Sequence, residues 1–148
     1  MSELSGDSRP VDILLVEDDP NDAELALRAL RKHNVANRIE VAHDGVEALE
    51  YLQPTDGRPP NGYPRVVLLD LKLPRIDGME VLRRLKQSPE TRRIPIVVLT
   101  SSGHERDLLT SYELGVNSYI QKPLDFEQFV RVVGELGLYW LVLNRLPE

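Results

Sequence analysis

Five short runs of Val, Ile and Leu punctuate the chain, near residues 12–16, 38–42, 66–70, 95–100 and 117–121. Each is apolar at consecutive rather than alternate positions, the pattern of strands covered on both faces, as in a parallel sheet. Between them apolar residues return at helical spacing. Ala23, Ala26, Leu27 and Leu30 stand at i, i+3, i+4 and i+7 behind Pro20, a favourable first helical residue. Asp44 is placed to cap a helix reaching about Leu52, Asp77 one reaching about Gln87, and Asp125 the last. A further helical segment spans about 104 to 114 and stops at Gly115. One connection is long: Gln53–Pro64 (QPTDGRPPNGYP), rich in Pro and Gly, reads as a functional lid or a surface insertion, and insertion is the more ordinary origin.

Strand and helix alternate five times, which predicts an α/β domain with helices on both faces of a parallel sheet. Five strands suit the flavodoxin-like doubly wound order 2-1-3-4-5, in which ligands sit beyond the carboxyl ends of the strands, where the first and third diverge. The acidic group Glu17-Asp18-Asp19 ends the first run and Asp70 ends the third. The expected topology therefore brings these carboxylates together.

Composition narrows the class. With 148 residues the chain is the size of one domain, with a polar tail over 1–10 expected to be disordered and a folded unit over 11–148. Its 24 acidic against 18 basic residues argue against general nucleic-acid affinity, and the absence of cysteine excludes disulfides, thiolate metal sites and cysteine nucleophiles. Met1–Arg9 lacks the apolar core of a secretory signal, and the run Leu138–Leu143 is too short to cross a bilayer. A soluble cytoplasmic protein without membrane attachment is expected.

Four strand ends supply polar groups to one edge: Glu17 and Asp18, Asp70, Thr100 with Ser101, and Lys122 followed by Pro123. Carboxylates crowded together raise one another's pKa unless a cation compensates. Mg²⁺ suits such a place, because it takes one or two carboxylates and fills its shell with water and phosphate oxygens. Lys122 adds a point charge and Thr100 a hydroxyl donor, together a site for a tetrahedral anion on or beside a carboxylate. Singly, each residue has a plainer reading. Asp18 or Asp19 can cap the first helix, and for Asp19 capping is the stronger reading. His33, His43 and His104 show no metal spacing and read as surface or capping residues; Arg83-Arg84-Leu85-Lys86 reads as a solvated helix face.

VEDD at 16–19, LLDLKLPRIDG at 68–78, VVLTSS at 97–102 and YIQKP at 119–123 resemble, in order, the signature of receiver domains of two-component response regulators. The resemblance covers residues 11 to about 135 and implies a signalling protein rather than an enzyme. It implies Asp70 as phosphoacceptor, Asp18 and Asp70 as direct Mg²⁺ ligands with the Lys72 backbone carbonyl, and Glu17 acting through water. Thr100 and Lys122 would contact the phosphoryl oxygens, Tyr119 would be the aromatic switch residue coupled to Thr100, and Lys122–Pro123 would be a cis peptide. The phosphoryl donor would be a histidine kinase.

Past Asp125, Phe126, Phe129, Val130 and Val133 form a stripe that a sheet would bury. Val132, Leu136, Tyr139 and Leu143 continue as a second stripe at i, i+4, i+7 and i+11, with Trp140 beside it, on an extended C-terminal helix whose outer part is about 136–148. A second stripe suggests a partner surface, or an extension folded back over the same monomer. LYWLVLN at 138–144, the 53–64 insertion and KQSPETRRIP at 86–95 resemble the subgroup associated with bacterial phytochrome kinases. That resemblance implies a homodimer through the fourth predicted helix, the fifth strand and the fifth helix. Three alternatives stand beside this reading. A receiver-like scaffold or phosphate sink would keep the same fold. An aspartyl-phosphate hydrolase would need an acid two positions after the nucleophile, where Lys72 stands. A flavin carrier would need small residues where Glu-Asp-Asp-Pro-Asn-Asp stands.

Overall fold

A computed structural model describes residues 11–33, 38–59, 62–100, 113, 115–116 and 118–138. The strands are β1 (Ile13–Val16), β2 (Ile39–Ala42), β3 (Val66–Asp70), β4 (Ile96–Thr100) and β5 (Ser118–Gln121). They form one parallel sheet in the order β2-β1-β3-β4-β5, the expected order. The described helices are α1 (Pro20–Lys32), α2 (Gly45–Leu52), α3 (Gly78–Gln87) and α4 (Phe126–Glu135). The helix expected over 104–114 and the tail over 1–10 lie outside the described residues, apart from Glu113.

Consecutive apolar residues have the predicted physical cause. Along β1, Ile13 and Leu15 pack with Ala26 and Leu30 of α1 and Phe129 of α4. Leu14 and Val16 face the other way, onto Leu49 and Leu52 of α2 and Val81 and Leu82 of α3. Both faces of the sheet are thus dry, and full burial of each Leu, Ile or Val contributes about 1.5–3 kcal/mol.

The capping acids fix where each helix starts. Asp19 accepts from the amides of Asn21 and Asp22 at 2.8 and 3.3 Å, so the capping role falls to it. Asp44, Asp77 and Asp125 do the same for α2, α3 and α4. Each such cap is worth about 1 kcal/mol.

The C-terminal helix departs from expectation. It ends at Glu135, because Gly137 adopts φ of 76° and the amides of Gly137 and Leu138 turn back to the carbonyls of Gly134 and Val133. This left-handed closure satisfies the last carbonyls and stops the helix. Of the stripe Val132, Leu136, Tyr139 and Leu143, only Val132 lies within this helix as described, and Leu136 caps it. Val132 is buried in the monomer core with Phe129 and Val133, and Leu136 packs partly against that core. Val130, expected inside, is instead exposed. Phe129, Val132 and Val133 are one helical turn apart and form the true inward stripe. Tyr139, Trp140 and Leu143 lie outside the described residues.

The 53–64 connection joins the end of α2 to the start of β3, at the edge of the sheet opposite the acidic residues. Its first residue is tethered: the Gln53 amide donates to the Arg84 carbonyl and to Thr91 Oγ1, both at 3.2 Å. This placement favours the insertion over the lid. No described helix is long and apolar enough to cross a membrane.

Candidate acidic centre at the carboxyl edge of the sheet

Parallel register builds the site. Val16 pairs with Leu69, so the next residues on the two strands, Glu17 and Asp70, emerge side by side at the carboxyl edge. Asp18 follows Glu17 on the turn into α1. One carboxylate oxygen from each of Glu17, Asp18 and Asp70 lies within 4.8 Å of the other two. Glu17 and Asp70 are buried, at 1 % and 4 % exposure, while Asp18 is open to solvent.

Lys122 follows β5, and the Lys122–Pro123 peptide is cis. Its ammonium lies 2.8 Å from Glu17 Oε1, 2.9 Å from Asp22 Oδ2 and 3.1 Å from Asp70 Oδ2. The second oxygen of Asp70 accepts from the Lys72 amide at 3.1 Å, and that of Glu17 from the Asp19 amide at 3.1 Å. These bonds orient both carboxylates, since a buried carboxylate held from two sides has little rotational freedom.

The electrostatics are unbalanced. Burial pushes the Glu17 carboxyl up to about 7, with the charge on Asp70 adding to the rise against the pull of Lys122 and the Asp19 amide. For Lys122, burial disfavours the ammonium, but the bonds to Glu17, Asp22 and Asp70 outweigh it and hold the pKa above that of an ordinary lysine. Three carboxylates therefore share the Lys122 ammonium, and a fourth, Asp18, clusters with two of them. A hard dication fits this donor set: all oxygen, clustered, with one open side where Asp18 meets solvent.

The loop after Asp70 is clamped from two sides. Gly78 passes so close to the backbone of Asp70 and Leu71 that a Cβ there would collide with it, and Gly45 passes equally close to Ile76. Arg75, with φ of 70°, donates to Asp44 Oδ2 at 3.1 Å. The Asp44 carboxyl is held below the usual carboxylate range, first by the Glu47 amide and further by Arg75. These contacts fix the backbone that carries Lys72.

Of the residues singled out from sequence, Glu17, Asp18, Asp70 and Lys122 converge. The backbone of Thr100 ends β4 beside Gln121, but its side chain lies outside the described residues, as does Ser101. Tyr119 is half-buried on β5 and packs against the core layer under α2 and α3. His33 ends α1 and stacks on Phe126, ring centroids 3.6 Å apart. His43 pairs with Glu47 at 3.2 Å, and His104 lies outside the described residues. Sequence reasoning missed Asp22. It stands three residues after the cap Asp19, where an acid looks like part of the helix start, although α1 begins at the same edge and so aims its first turn at the site.

This sheet order, with acids on the first and third strand ends and lysine on the fifth, defines a phosphorelay receiver. Residues 13–134 match the family described as "Response regulator receiver domain", and the chain belongs to that family. Among its curated relatives, the probable methanogenesis regulatory protein FilR2 of Methanothrix harundinacea is 48% identical over 138 residues, 93% of this chain and 88% of the relative. The response regulator Rcp1 of Synechocystis sp. is 38% identical over 145 residues, 97% of this chain and 99% of Rcp1. The solved Mn²⁺-bound form of Rcp1 superposes with TM-score 0.71 at 39% identity, over 94% of this chain and 100% of that one. The bacteriophytochrome response regulator AtBRR superposes with TM-score 0.79 at 53% identity, over 89% of this chain and 96% of that one.

Proposed function

We propose that this response regulator takes a phosphoryl group from a phosphohistidine of a histidine kinase onto Asp70. The single observation that carries the reading is the buried Asp70 carboxylate, 3.1 Å from the Lys122 ammonium and clustered with Glu17 and Asp18. Asp18, Asp70 and the Lys72 carbonyl would hold Mg²⁺, with Glu17 acting through water. The ion would supply charge neutralisation on the phosphoryl oxygens, the main requirement of phosphoryl transfer. A carboxylate oxygen of Asp70 attacks phosphorus in line, the P–N bond to the kinase imidazole breaks, and the new P–O bond makes an acyl phosphate. Lys122 offers N–H donors to one equatorial oxygen and Thr100 a hydroxyl to another. The second bond from Asp70 to the Lys72 amide keeps the nucleophile aligned.

Phosphorylation then shifts an existing equilibrium. Thr100 is drawn toward the phosphoryl group, and Tyr119 turns into the space it leaves. The surface formed by residues 104–143 changes its affinity for a protein partner. Likeness to AtBRR supports a phytochrome-type kinase as the donor, which phosphotransfer from such a kinase against an unrelated one checks. Self-association through the same surface is part of the proposal, with the buried Val132 removed from the contact set and the partly buried Leu136 kept; Val130 is the exposed large apolar side chain that α4 offers it.

Intact mass after incubation with Mg²⁺ and a small acyl-phosphate donor tests the reading. One added phosphoryl group is expected on the wild type, none with a chelator present and none on Asp70→Asn. Full-stoichiometry labelling of Asp70→Asn would remove Asp70 as the acceptor.

A further inference from the structure

With Asp70 taken as the acceptor, we propose that Asp22 is a positioning residue: it keeps the Lys122 ammonium at the site while Glu17 and Asp70 are drawn to other partners. An ammonium has three donors. Here they reach Glu17 at 2.8 Å, Asp22 at 2.9 Å and Asp70 at 3.1 Å. Two of these acceptors have a second claim on them. Glu17 and Asp70 belong to the carboxylate cluster with Asp18, and Asp22 does not. Once Asp70 carries a phosphoryl group, and once Glu17 turns to a cation's water, both bonds to Lys122 weaken or break. The bond to Asp22 remains.

Asp22 is well placed for this. It stands in the first turn of α1, where its amide is fixed to the cap Asp19 at 3.3 Å, so its side chain starts from a rigid point. Its side chain is 39% exposed and that of Lys122 14%. Solvent therefore screens the pair only in part. Lysine has a long stem with many rotamers, and one fixed acceptor confines the head group near the phosphoryl position before the reaction begins. Asp22 touches neither the phosphoryl group nor the metal in this scheme; it acts through Lys122.

The test uses the full chain as wild type, Asp22→Ala and Asp22→Asn. Phosphorylation by a small acyl phosphate with Mg²⁺ gives the rate. Calorimetric titrations with Mg²⁺ alone, and with beryllofluoride in Mg²⁺ as a phosphoryl mimic, give donor-free affinities. Asp22→Ala is expected to slow phosphorylation and weaken beryllofluoride binding by about fivefold each, with Mg²⁺ affinity changed by less than about twofold. Asp22→Asn, which keeps an oxygen acceptor, is expected to recover most of the loss. In a Lys122→Ala background, Asp22→Ala should add nothing further.

Wild-type behaviour of Asp22→Ala overturns the proposal. So does a loss of Mg²⁺ affinity as large as the loss of rate, or a defect that persists without Lys122. A wild type that takes up no phosphoryl group and binds no beryllofluoride overturns the acceptor reading itself. A competent wild type with indifferent Asp22 variants overturns only the role of Asp22.

Discussion

The two ends of the sheet both bury charge, and they handle it in opposite ways. At the amino end, Asp12, Arg38 and Arg65 each stand just before a strand, and Glu40 lies within β2. Arg38 pairs with Glu40 at 3.2 Å, Arg65 with Asp12 at 3.5 Å, and the Arg38 amide donates to Asp12 at 3.4 Å. In these contacts among the described residues, acids meet bases. At the carboxyl end, Glu17, Asp22 and Asp70 share Lys122, and Asp18 adds a fourth carboxylate beside Glu17 and Asp70. Arg38 and Asp70 are buried to the same degree, at 6 % and 4 % exposure. Burial of charge therefore does not mark the functional end; the surplus of one sign does. Acids that meet arginines call for no further cation, whereas a surplus of carboxylates around one lysine does.

That contrast predicts substitutions of opposite sign. Arg38→Ala leaves the half-buried acid Glu40 without its guanidinium and removes a buried side chain, and should cost about 2 kcal/mol in urea unfolding. Loss of less than about 1 kcal/mol would mean that the Arg38–Glu40 pair contributes little to the fold. At the carboxyl end, adding Mg²⁺ to ten times its dissociation constant should stabilise the fold by about 1.4 kcal/mol, through binding to the native state alone. The same Mg²⁺ should stabilise Asp18→Asn far less, and equal stabilisation of the two would exclude Asp18 from the metal site. The smallest effect is the most diagnostic. Asp70→Asn in metal-free buffer removes one of the mutually repelling carboxylates, while Lys122 keeps Glu17 and Asp22, so stability should hold or rise by about 1 kcal/mol. A clear loss would mean that Asp70 is there for the fold.

The sequence carries most of this in its strand ends and caps. A run such as Val66–Leu69 that stops on an aspartate states both the strand and its functional end. Asp19, Asp44, Asp77 and Asp125 announce their helices through local bonding that needs no tertiary context. The parts that escaped depend on contacts between distant residues. Asp22 and Lys122 are 100 positions apart, and the first-turn acid has a sufficient local explanation that hides the long-range one. Arg75 and Asp44, 31 positions apart, are hidden in the same way by the cap that Asp44 also provides.

The C-terminal helix fails for a different reason. Apolar spacing past Leu136 continues at helical period, but Gly137 turns the chain into a left-handed conformation that a count of spacing does not register. A glycine after Leu136 was itself a stop signal. Placing Val132 and Val130 needed the rotation of the helix against the sheet, which only the packed structure supplies.

The proposed role of the surplus carboxylates is to make Asp70 a phosphoryl acceptor. Borohydride trapping tests it most directly. The wild type is phosphorylated with a small acyl phosphate and Mg²⁺, reduced, digested and sequenced by mass spectrometry. Conversion of Asp70 to homoserine, with Glu17, Asp18 and Asp22 untouched, is the predicted result. Reduction at another carboxylate, or an unmodified Asp70 in protein that carries the phosphoryl mass, would contradict it.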